Sequence, residues 1–439
     1  MTEVDDYILT EDESYDVIIV GGGVSGLTAA RELKKHEPEI KFKIVEAKDR
    51  LGGRTKTITL NAADGRDHWD IGGQWVGRTQ THLLELMKEL GVEYYDQYSD
   101  GIKWMQIGRH SPRTYTSDLP KASEIGQYSV FELINFLIAY PRLIKLVESI
   151  NLKNLHETPN AKELDALTVE EWFRQNGNHR FFTDIGEVST MSVYGVPAAR
   201  MSMLYYLYYA KSAGRLEDLF ECTKNGAQAF RIKGGTEQIV NRMASEIGEE
   251  NVMLNSAVLE IDYSNESKAI VLVQDRKNPT KIKALAARRI IITAPPSECS
   301  RILFTPPMPY AKKQLFNGTP QGSLQKFIAT YETPFWRAKG FSGEILSSGA
   351  TEFKGEVLPL VCVYDATTHN GNPALVGFIH NTFWSDQTFE VRKNGVLRVL
   401  FLVLKTAFDY EPYTGGCPAS VVPAGNMNAF LHIREPVSM

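Results

Sequence analysis

The stretch YDVIIVGGGVSGLTAARELKK, residues 15–35, decides the fold of this chain. Residues 16–20 form an apolar, β-branched run, which predicts a strand buried on both faces of a parallel sheet. Gly21, Gly23 and Gly26 follow in the spacing G-x-G-x-x-G, and the residues after them show the apolar stripe of a helix. This order of strand, glycines and helix predicts a Rossmann-like nucleotide-binding unit.

Glycine is needed at each of the three positions for a different physical reason. Gly21 permits a tight turn, Gly23 lets the backbone approach a pyrophosphate, and Gly26 lets the helix pack on the strand. The helix start at Val24 and Ser25 offers N–H groups and partial positive charge to phosphates. A dinucleotide is therefore the expected ligand.

A second predicted strand, FKIVEA, ends in Glu46 and Ala47. Glu46 lies about 20 residues past the glycines, where a carboxylate accepts hydrogen bonds from both ribose hydroxyls of an adenosine. The acid also disfavours a 2′-phosphate, so NADP is not expected. The alternative, a glycine-rich turn followed by an unrelated acid, does not explain the ordered series.

Two further glycine pairs narrow the choice of cofactor. DRLGGRTKT places Arg50, Gly53 and Arg54 beyond the ribose strand, and DIGGQWVG follows it. Close backbone approach and guanidinium groups suit the second half of a long dinucleotide and its phosphates. The cofactor-contacting residues expected in the second motif are Gly72, Gly73, Gln74 and Trp75.

The order GxGxxG, Glu, LGGR, GGQW resembles the FAD-dependent amine oxidase family, which includes monoamine, polyamine and L-amino-acid oxidases. The resemblance implies an α/β plus α+β protein, in which a Rossmann-like FAD-binding domain is interleaved with a substrate domain of mixed sheet and helices. The implied FAD domain comprises 12–100, 226–300 and 406–439, and the substrate domain 101–225 and 301–405. Within the former, Val258 would touch adenine through its backbone.

Two residues are implied to act on the substrate. In GSLQKFIATYETPFW, strand alternation places Lys326 on an apolar face with Leu324 and Ile328. By resemblance this lysine holds a water against flavin N5, whereas the alternative is an edge-strand lysine that reaches solvent. Gln228 matches a glutamine of the substrate channel in monoamine oxidases, although a glutamine before a strand is also an ordinary surface residue.

Cys417, in PYTGGCPASVVPAGNM, matches the cysteine that monoamine oxidases bond to the flavin 8α carbon. Pro418 stands where animal monoamine oxidases have a tyrosine, and relatives with this proline also hold FAD without a covalent bond. Covalent attachment, non-covalent FAD and a small buried thiol therefore all stay open for Cys417.

The family pattern continues beyond Met439 with a strand and a long helix that faces the flavin. The resulting expectation is an incompletely enclosed isoalloxazine half, with less stabilisation of the reduced ring by a helix dipole. The leading hypothesis is oxidative deamination of a small amine by FAD and O2. The alternatives are an inactive homologue that acts by binding or dimerisation, as a homodimer, and a polyamine or L-amino-acid oxidase.

Composition excludes several other classes. The 439 residues, 43% of them hydrophobic, suffice for two domains. The 48 basic and 53 acidic residues give a net charge of −5, which favours binding to neither nucleic acid nor anionic lipid. The four cysteines form no CxxC pair or disulfide framework, and the histidines form no metal-ligand spacing. The expected location is cytoplasmic without a membrane anchor; the family resemblance leaves the mitochondrial outer membrane as the alternative.

Overall fold

A computed structural model of the chain describes residues 9–380 and 432–433, apart from 109, 118–119, 126–128, 178–179, 223–224, 349–350, 354–355 and 359. The strands are β1 Leu9–Val20, β2 Phe42–Val45, β3 Thr57–Asn61, β4 Arg66–Asp70, β5 Trp75–Val76, β6 Tyr94–Asp96, β7 Ile102–Gln106, β8 Arg113–Tyr115, β9 Phe230–Ile232, β10 Val252–Met253, β11 Ser256–Asp262, β12 Ala269–Asp275, β13 Asn278–Ile292, β14 Leu303–Thr305, β15 Leu324–Thr330, β16 Phe341–Ser347, β17 Thr351–Phe353, β18 Glu356–Leu358, β19 Leu360–Asp365, β20 Ala374–His380 and β21 His432–Ile433.

The α-helices are α1 Val24–His36, α2 Thr81–Glu89, α3 Ala122–Ile125, α4 Val130–Ser149, α5 Ala161–Ala166, α6 Val169–Gly177, α7 Arg180–Tyr194, α8 Met203–Ser212, α9 Glu237–Ile247, α10 Pro296–Cys299, α11 Tyr310–Gly318 and α12 Phe335–Ala338. Short 3₁₀ turns lie at Leu155–Glu157, Ala198–Arg200, Glu217–Leu219 and Glu249–Asn251. Among the described helices, none is both long and apolar enough to cross a bilayer.

The first sheet has the strand order β10-β2-β1-β13-β12-β11-β14. β1 lies between β2 and β13 and is parallel to both, so its residues Ile18 and Ile19 are buried from both faces. This explains the unbroken apolar run, because a strand covered on two faces exposes no alternate side chain to water. The expected Rossmann-like arrangement is confirmed.

Helix α1 covers this sheet. Its inner stripe, Leu27 and Ala30, packs in one core cluster with Val240 and Met243 of α9. A Cβ at Gly26 would lie 2.0 Å from the carbonyl oxygen of Gly21, so only glycine allows the helix to start so close to the strand. Basic residues in the last helical turn complement the negative end of the helix dipole.

A second sheet joins two distant parts of the chain, in the order β21-β15-β20-β19-β16-β7-β8. Strands β7 and β8 come from the segment 101–225, whereas β15, β16, β19 and β20 come from 301–405. The helices α4 to α8 form a separate apolar core that includes Phe173, Phe182 and Tyr206. The mixed sheet and helices of the expected fold class are both present.

Two strands pair with the sheet opposite to the one that the expected domain division would give them. β14 pairs in parallel with β11 and so belongs to the first sheet, where Thr305 Oγ1 donates to Glu260 Oε1 at 2.8 Å. β21 pairs with β15 in the second sheet, with Ile433 opposite Phe327, although 406–439 was assigned to the FAD domain. Both strands join the edge at which backbone hydrogen bonds are available, which periodicity alone does not reveal.

Candidate active site

The glycine loop after β1 forms an open cradle. Gly21 has a φ of +107°, which favours glycine, and Gly23 caps α1 with no side-chain hydrogen bond. A Cβ placed on Gly23 would meet no atom within 4 Å. The first-turn N–H groups of α1, starting at Val24 and Ser25, therefore border open space and can receive a phosphate.

Glu46 faces this loop at the end of β2. Its Oε2 accepts a hydrogen bond from the Gly22 N–H at 2.6 Å, and its Oε1 accepts one from the Lys48 N–H at 2.9 Å. The Ser256 N–H donates to the Glu46 carbonyl at 2.8 Å, which brings the start of β11 beside β2. Val258 packs in the adjoining apolar cluster, so it lies at the same end of the sheet as Glu46 and Ala47.

The LGGR segment lies directly against the glycine loop. The Gly52 N–H donates to the Gly22 carbonyl at 2.8 Å, and a Cβ on Gly53 would lie 3.5 Å from the Gly23 Cα. The Arg50 guanidinium donates to three carbonyls of its own segment, those of Leu51, Gly53 and Thr55, at 2.7–3.0 Å. Arg50 thus braces the loop, and Arg54 is the exposed arginine beside it.

The GGQW segment continues from the same place. The Gly73 N–H donates to the Arg54 carbonyl at 3.2 Å, and a Cβ on Gly72 would meet that carbonyl oxygen at 2.1 Å. Gln74 is only 4% exposed, and within the described part of the chain its Nε2 has no hydrogen-bond partner. A buried amide donor without a partner is costly, so a ligand acceptor is expected there.

A cleft of about 440 Å³ collects the predicted substrate and flavin residues. Lys326, Gln228 and the GGQW segment 72–75 line it together. They come from β15, from the turn before β9 and from β5 with its preceding loop. The sequence reasoning did not single out Tyr194 of α7 or Phe378 of β20, which also line the cleft.

Lys326 is buried, with 5% of its surface exposed. Its Nζ donates to the Gly72 carbonyl at 2.9 Å and lies 5.9 Å and 5.7 Å from the ring centroids of Trp75 and Phe378. β15 pairs with β20 on one side and with β21 on the other, so the lysine does not reach past an open edge to solvent. Its ammonium group is held at the wall of the cleft.

The aromatic wall has a fixed geometry. Trp75 contacts Phe378 at 6.0 Å between ring centroids and meets Tyr364 edge-on at 5.1 Å. Trp75 Nε1 donates to Gln97 Oε1 at 2.9 Å, which sets the plane of the indole. Phe378 and Tyr364 lie on strands far from every motif in the sequence, so only the tertiary structure reveals them.

These residues fit a flavin dinucleotide. The open cradle at Gly23, the uncapped helix α1 and the Glu46 carboxylate suit the adenosine and pyrophosphate half. A planar polar ring at the cleft would fit two further features. A Cβ on Gly73 would also meet no atom within 4 Å, and the Gln74 Nε2 has no hydrogen-bond partner among the described residues. In the described residues no group of three or more His, Cys, Asp and Glu side chains could hold a metal ion.

A family model, flavin containing amine oxidoreductase, matches residues 24–432. The chain belongs to this family. The predicted membership, with FAD as the cofactor that the family implies, is therefore confirmed, and the protein is an oxidoreductase, a flavin-containing amine oxidase. Cys417 lies outside the described residues, so its bonding to FAD stays a prediction, as do the individual site roles.

Known relatives and structures agree with this membership. The chain is 31% identical over 450 residues to the putrescine oxidase of Kocuria rosea, covering 96% of this chain and 88% of that protein. It is 30% identical over 451 residues to a flavin-containing amine oxidase of Oncorhynchus mykiss, covering 98% and 80%. The cyclohexylamine oxidase of Brevibacterium oxydans IH-35A superposes with a TM-score of 0.75 at 29% identity, covering 90% and 81%.

Proposed function

We propose that this protein oxidises a small primary or secondary amine with bound FAD and O2, giving hydrogen peroxide and an imine that hydrolyses to an aldehyde and ammonia or an amine. The observation that carries the proposal is the position of Lys326. Its ammonium group lies at the Gly72 carbonyl, in a cleft whose wall continues into the dinucleotide loops.

When bound, FAD supplies the redox chemistry, by accepting a hydride equivalent from the amine α-carbon at N5 and passing the electrons to O2. The chain itself supplies position and a dry wall. Trp75 and Phe378 exclude water from one side of the cleft, and Gln228 offers its amide as a polar contact. Lys326 is placed to hold a water at the cleft wall.

The charge of Lys326 also selects the protonation state of the substrate. A cation at the wall of a partly apolar cleft disfavours a second cation nearby, so it lowers the pKa of a bound ammonium group. The amine therefore reacts in its neutral form, which has the lone pair that oxidation at the α-carbon requires.

The lining of the cleft favours a monoamine. Among its described lining residues there is no Asp, Glu or Arg. A diamine or polyamine would require an acidic partner for its second ammonium group. Among the described lining residues, the carboxylate of an amino acid would find a cation only in Lys326, which already donates to the Gly72 carbonyl. The name of one relative, a cyclohexylamine oxidase, agrees with a monoamine, whereas the other, a putrescine oxidase, is named for a small diamine.

The test is peroxide release by the purified, FAD-loaded chain with benzylamine, cyclohexylamine and putrescine. We expect turnover of the first two to exceed that of putrescine. A protein that binds FAD but releases no peroxide with any amine would overturn the proposal and favour the inactive homologue.

The flavin spectrum before and after acid precipitation tests the proposed bond at Cys417. Flavin that stays with the pellet is the result expected for a covalent bond. Flavin that moves to the supernatant shows a non-covalent cofactor.

A further inference from the structure

A second cavity, of about 420 Å³, adjoins the amine cleft that Lys326 and Gln228 line. The two share no lining residue, but they are joined by two contacts. Gln97 of the second cavity accepts a hydrogen bond from Trp75 Nε1 at 2.9 Å, and Cys222 Sγ donates to Gln228 Oε1 at 3.6 Å. The volume lies in the range of small-molecule sites, roughly 300–1,000 Å³.

Arg231, the middle residue of β9, lines this second cavity and is 5% exposed. β9 lies between β5 and β6, and Arg231 pairs with Trp75 on one side and with Tyr95 on the other. Its chain neighbours Phe230 and Ile232 pack in the core cluster beneath α1. Strand alternation therefore turns the arginine away from that core and places a buried cation at the cavity.

The guanidinium of Arg231 is only partly satisfied. Its Nη1 donates to the Thr367 carbonyl at 3.1 Å, whereas its Nε has no hydrogen-bond partner, and it forms no ion pair with a carboxylate among the described residues. A buried cation without a counter-ion is costly. With Nη1 engaged, the Nε–Nη2 edge is left over, and two N–H groups on one edge match the two oxygens of a carboxylate.

Thr367 brings a second buried group without a partner to the same cavity. It is 7% exposed, and its Oγ1 makes no hydrogen bond within the described part of the chain. Its backbone is fixed, because its N–H donates to Asp365 Oδ1 at 2.8 Å and its carbonyl accepts from Arg231. Two unpartnered groups from segments remote in sequence, held together by this hydrogen bond, indicate a ligand site.

The charges around the cavity favour an anion. Arg78 pairs with Asp96 at 3.0 Å, and Arg337 pairs with the buried Asp365 at 2.7 Å, so the charges of these two lining arginines are matched. The other lining carboxylate, Asp100, is exposed, where water and salt screen its charge. Of the described arginines that line the cavity, Arg231 alone keeps an unmatched charge.

We propose that the second cavity binds a small organic carboxylate, held by the Nε–Nη2 edge of Arg231 and by the Thr367 hydroxyl. The cavity is larger than an inorganic anion requires, and the rings of Tyr95 and Tyr98 line it, so the ligand has an apolar or aromatic body. The site is separate from the amine cleft, and its occupancy does not depend on amine oxidation.

The test is isothermal titration calorimetry of the full-length, FAD-loaded chain at neutral pH, with benzoate as the probe. We expect one benzoate per chain. The affinity should be unchanged when the amine cleft is saturated with α,α-dimethylbenzylamine, which has no α-hydrogen and cannot be oxidised. Benzamide has the same shape without the charge and should not bind detectably, and inorganic phosphate at equal ionic strength should bind at least about tenfold more weakly than benzoate.

Three variants locate the site. Arg231→Gln should weaken benzoate binding at least about tenfold, because the charge and the paired N–H groups are lost. Thr367→Val should weaken it about fivefold, because one hydrogen bond is lost while the side chain keeps its shape. Lys326→Met should bind benzoate as the wild type does, because the cation of the amine cleft is not the one that holds the carboxylate.

Arg78→Gln is the matched control. Arg78 is an arginine of the same cavity, but it is paired with Asp96 near the surface, so R78Q should change benzoate affinity by less than about twofold. Benzoate should raise the melting temperature of the wild type and of R78Q, and R231Q should lose most of this rise. If R231Q does not fold, T367V decides: wild-type benzoate affinity in a folded T367V overturns the proposal.

Several other results would also overturn it. They are no benzoate binding, displacement of benzoate by the amine, benzamide or phosphate binding as tight as that of benzoate, and equal losses in R78Q and R231Q. None of these measurements uses peroxide release. A chain that oxidises no amine would overturn the proposed function and leave the test of this site intact.

Discussion

The Nζ of Lys326 lies 2.9 Å from the carbonyl oxygen of Gly72, across 254 residues of sequence. This hydrogen bond joins the second sheet to the GGQW segment, and the Gly73 N–H in turn bonds the Arg54 carbonyl of the LGGR segment. The substrate cleft and the dinucleotide loops are thereby held in one arrangement.

Replacing Lys326 with Met should lower the rate of amine oxidation on the order of 100-fold, because the group proposed to position a water at the cleft wall is lost. FAD should still bind, since the dinucleotide loops are untouched. Steady-state kinetics and the flavin spectrum of K326M test this.

Lys103→Met is the matched control for K326M. Lys103 is also buried, but its Nζ pairs with Glu344 Oε2 at 3.0 Å. K103M should destabilise the protein by about 3 kcal/mol, because it removes the ammonium group that pairs with the buried Glu344 carboxylate, while the folded fraction keeps its turnover rate. Equal losses of turnover in both variants would refute a special role for Lys326.

Gly23→Ala and Gly26→Ala should fail for different reasons. A methyl group at Gly23 enters open space, so the protein should fold normally but bind FAD at least about tenfold more weakly, because the methyl group blocks the pyrophosphate approach. At Gly26 it meets the Gly21 carbonyl oxygen at 2.0 Å, so G26A should lose stability. Thermal melts without added FAD and FAD titrations separate the two; a stable G26A with normal FAD affinity would contradict this geometry.

Glu46→Gln should weaken FAD binding about tenfold or more with little change in fold. Both Glu46 oxygens accept backbone N–H bonds, at Gly22 and Lys48, and an amide would turn one acceptor into a donor facing an N–H group. FAD titration by fluorescence quenching measures the loss. Glu93→Gln, at an exposed carboxylate paired with Lys233, should bind FAD as the wild type does.

Asp67 should make the free energy of unfolding depend on pH in the acidic range. Burial tends to raise its pKa, but hydrogen bonds from Thr368, Asn372, the His68 N–H and Asn370 outweigh burial, so the pKa is lowered. The unfolded chain therefore takes up a proton first as the pH falls below about 3.9, and the stabilisation is lost as the pH passes through the lower folded-state pKa.

Asp67→Asn should cost about 2 kcal/mol at pH 7, because charge-assisted hydrogen bonds are lost. The cost should be smaller near pH 3, because there the unfolded wild type is already largely protonated at Asp67 and the ionised carboxylate contributes less stability. Urea unfolding at the two pH values measures this difference. Asp262→Asn is the control, since the pKa of Asp262 is also lowered, mainly by Ser264, but through hydrogen bonds at the surface, at the end of β11. A D67N penalty that is the same at both pH values would show that Asp67 is not the group responsible.

The dinucleotide loop could be predicted from sequence because its demands are local. A parallel strand buried on two faces needs a continuous apolar run, and a turn with a φ of +107° at Gly21 needs glycine. The Glu46 position follows from the length of one strand–helix–strand unit. The role of Arg50 could not be predicted from the sequence, because only the folded structure shows that its guanidinium bonds to its own loop.

The burial of Lys326 could be predicted only in part from the sequence. Alternation placed it on an apolar face, but whether that face met a cleft or solvent depended on strands β20 and β21, which are distant in sequence. The assignments of β14 and β21 to their sheets differed from expectation for the same reason. Strand pairing is decided by long-range hydrogen bonds that leave no local pattern.

The sequence by itself determined the cofactor class and the Rossmann-like unit, because glycine spacing, an acid at the strand end and apolar periodicity act over a few residues. Only the tertiary structure decided which side chains form the substrate cleft. Lys326, Gln228, Trp75 and Phe378 come from separate segments, and their contacts arise from sheet packing and burial, which act between residues that are remote along the chain.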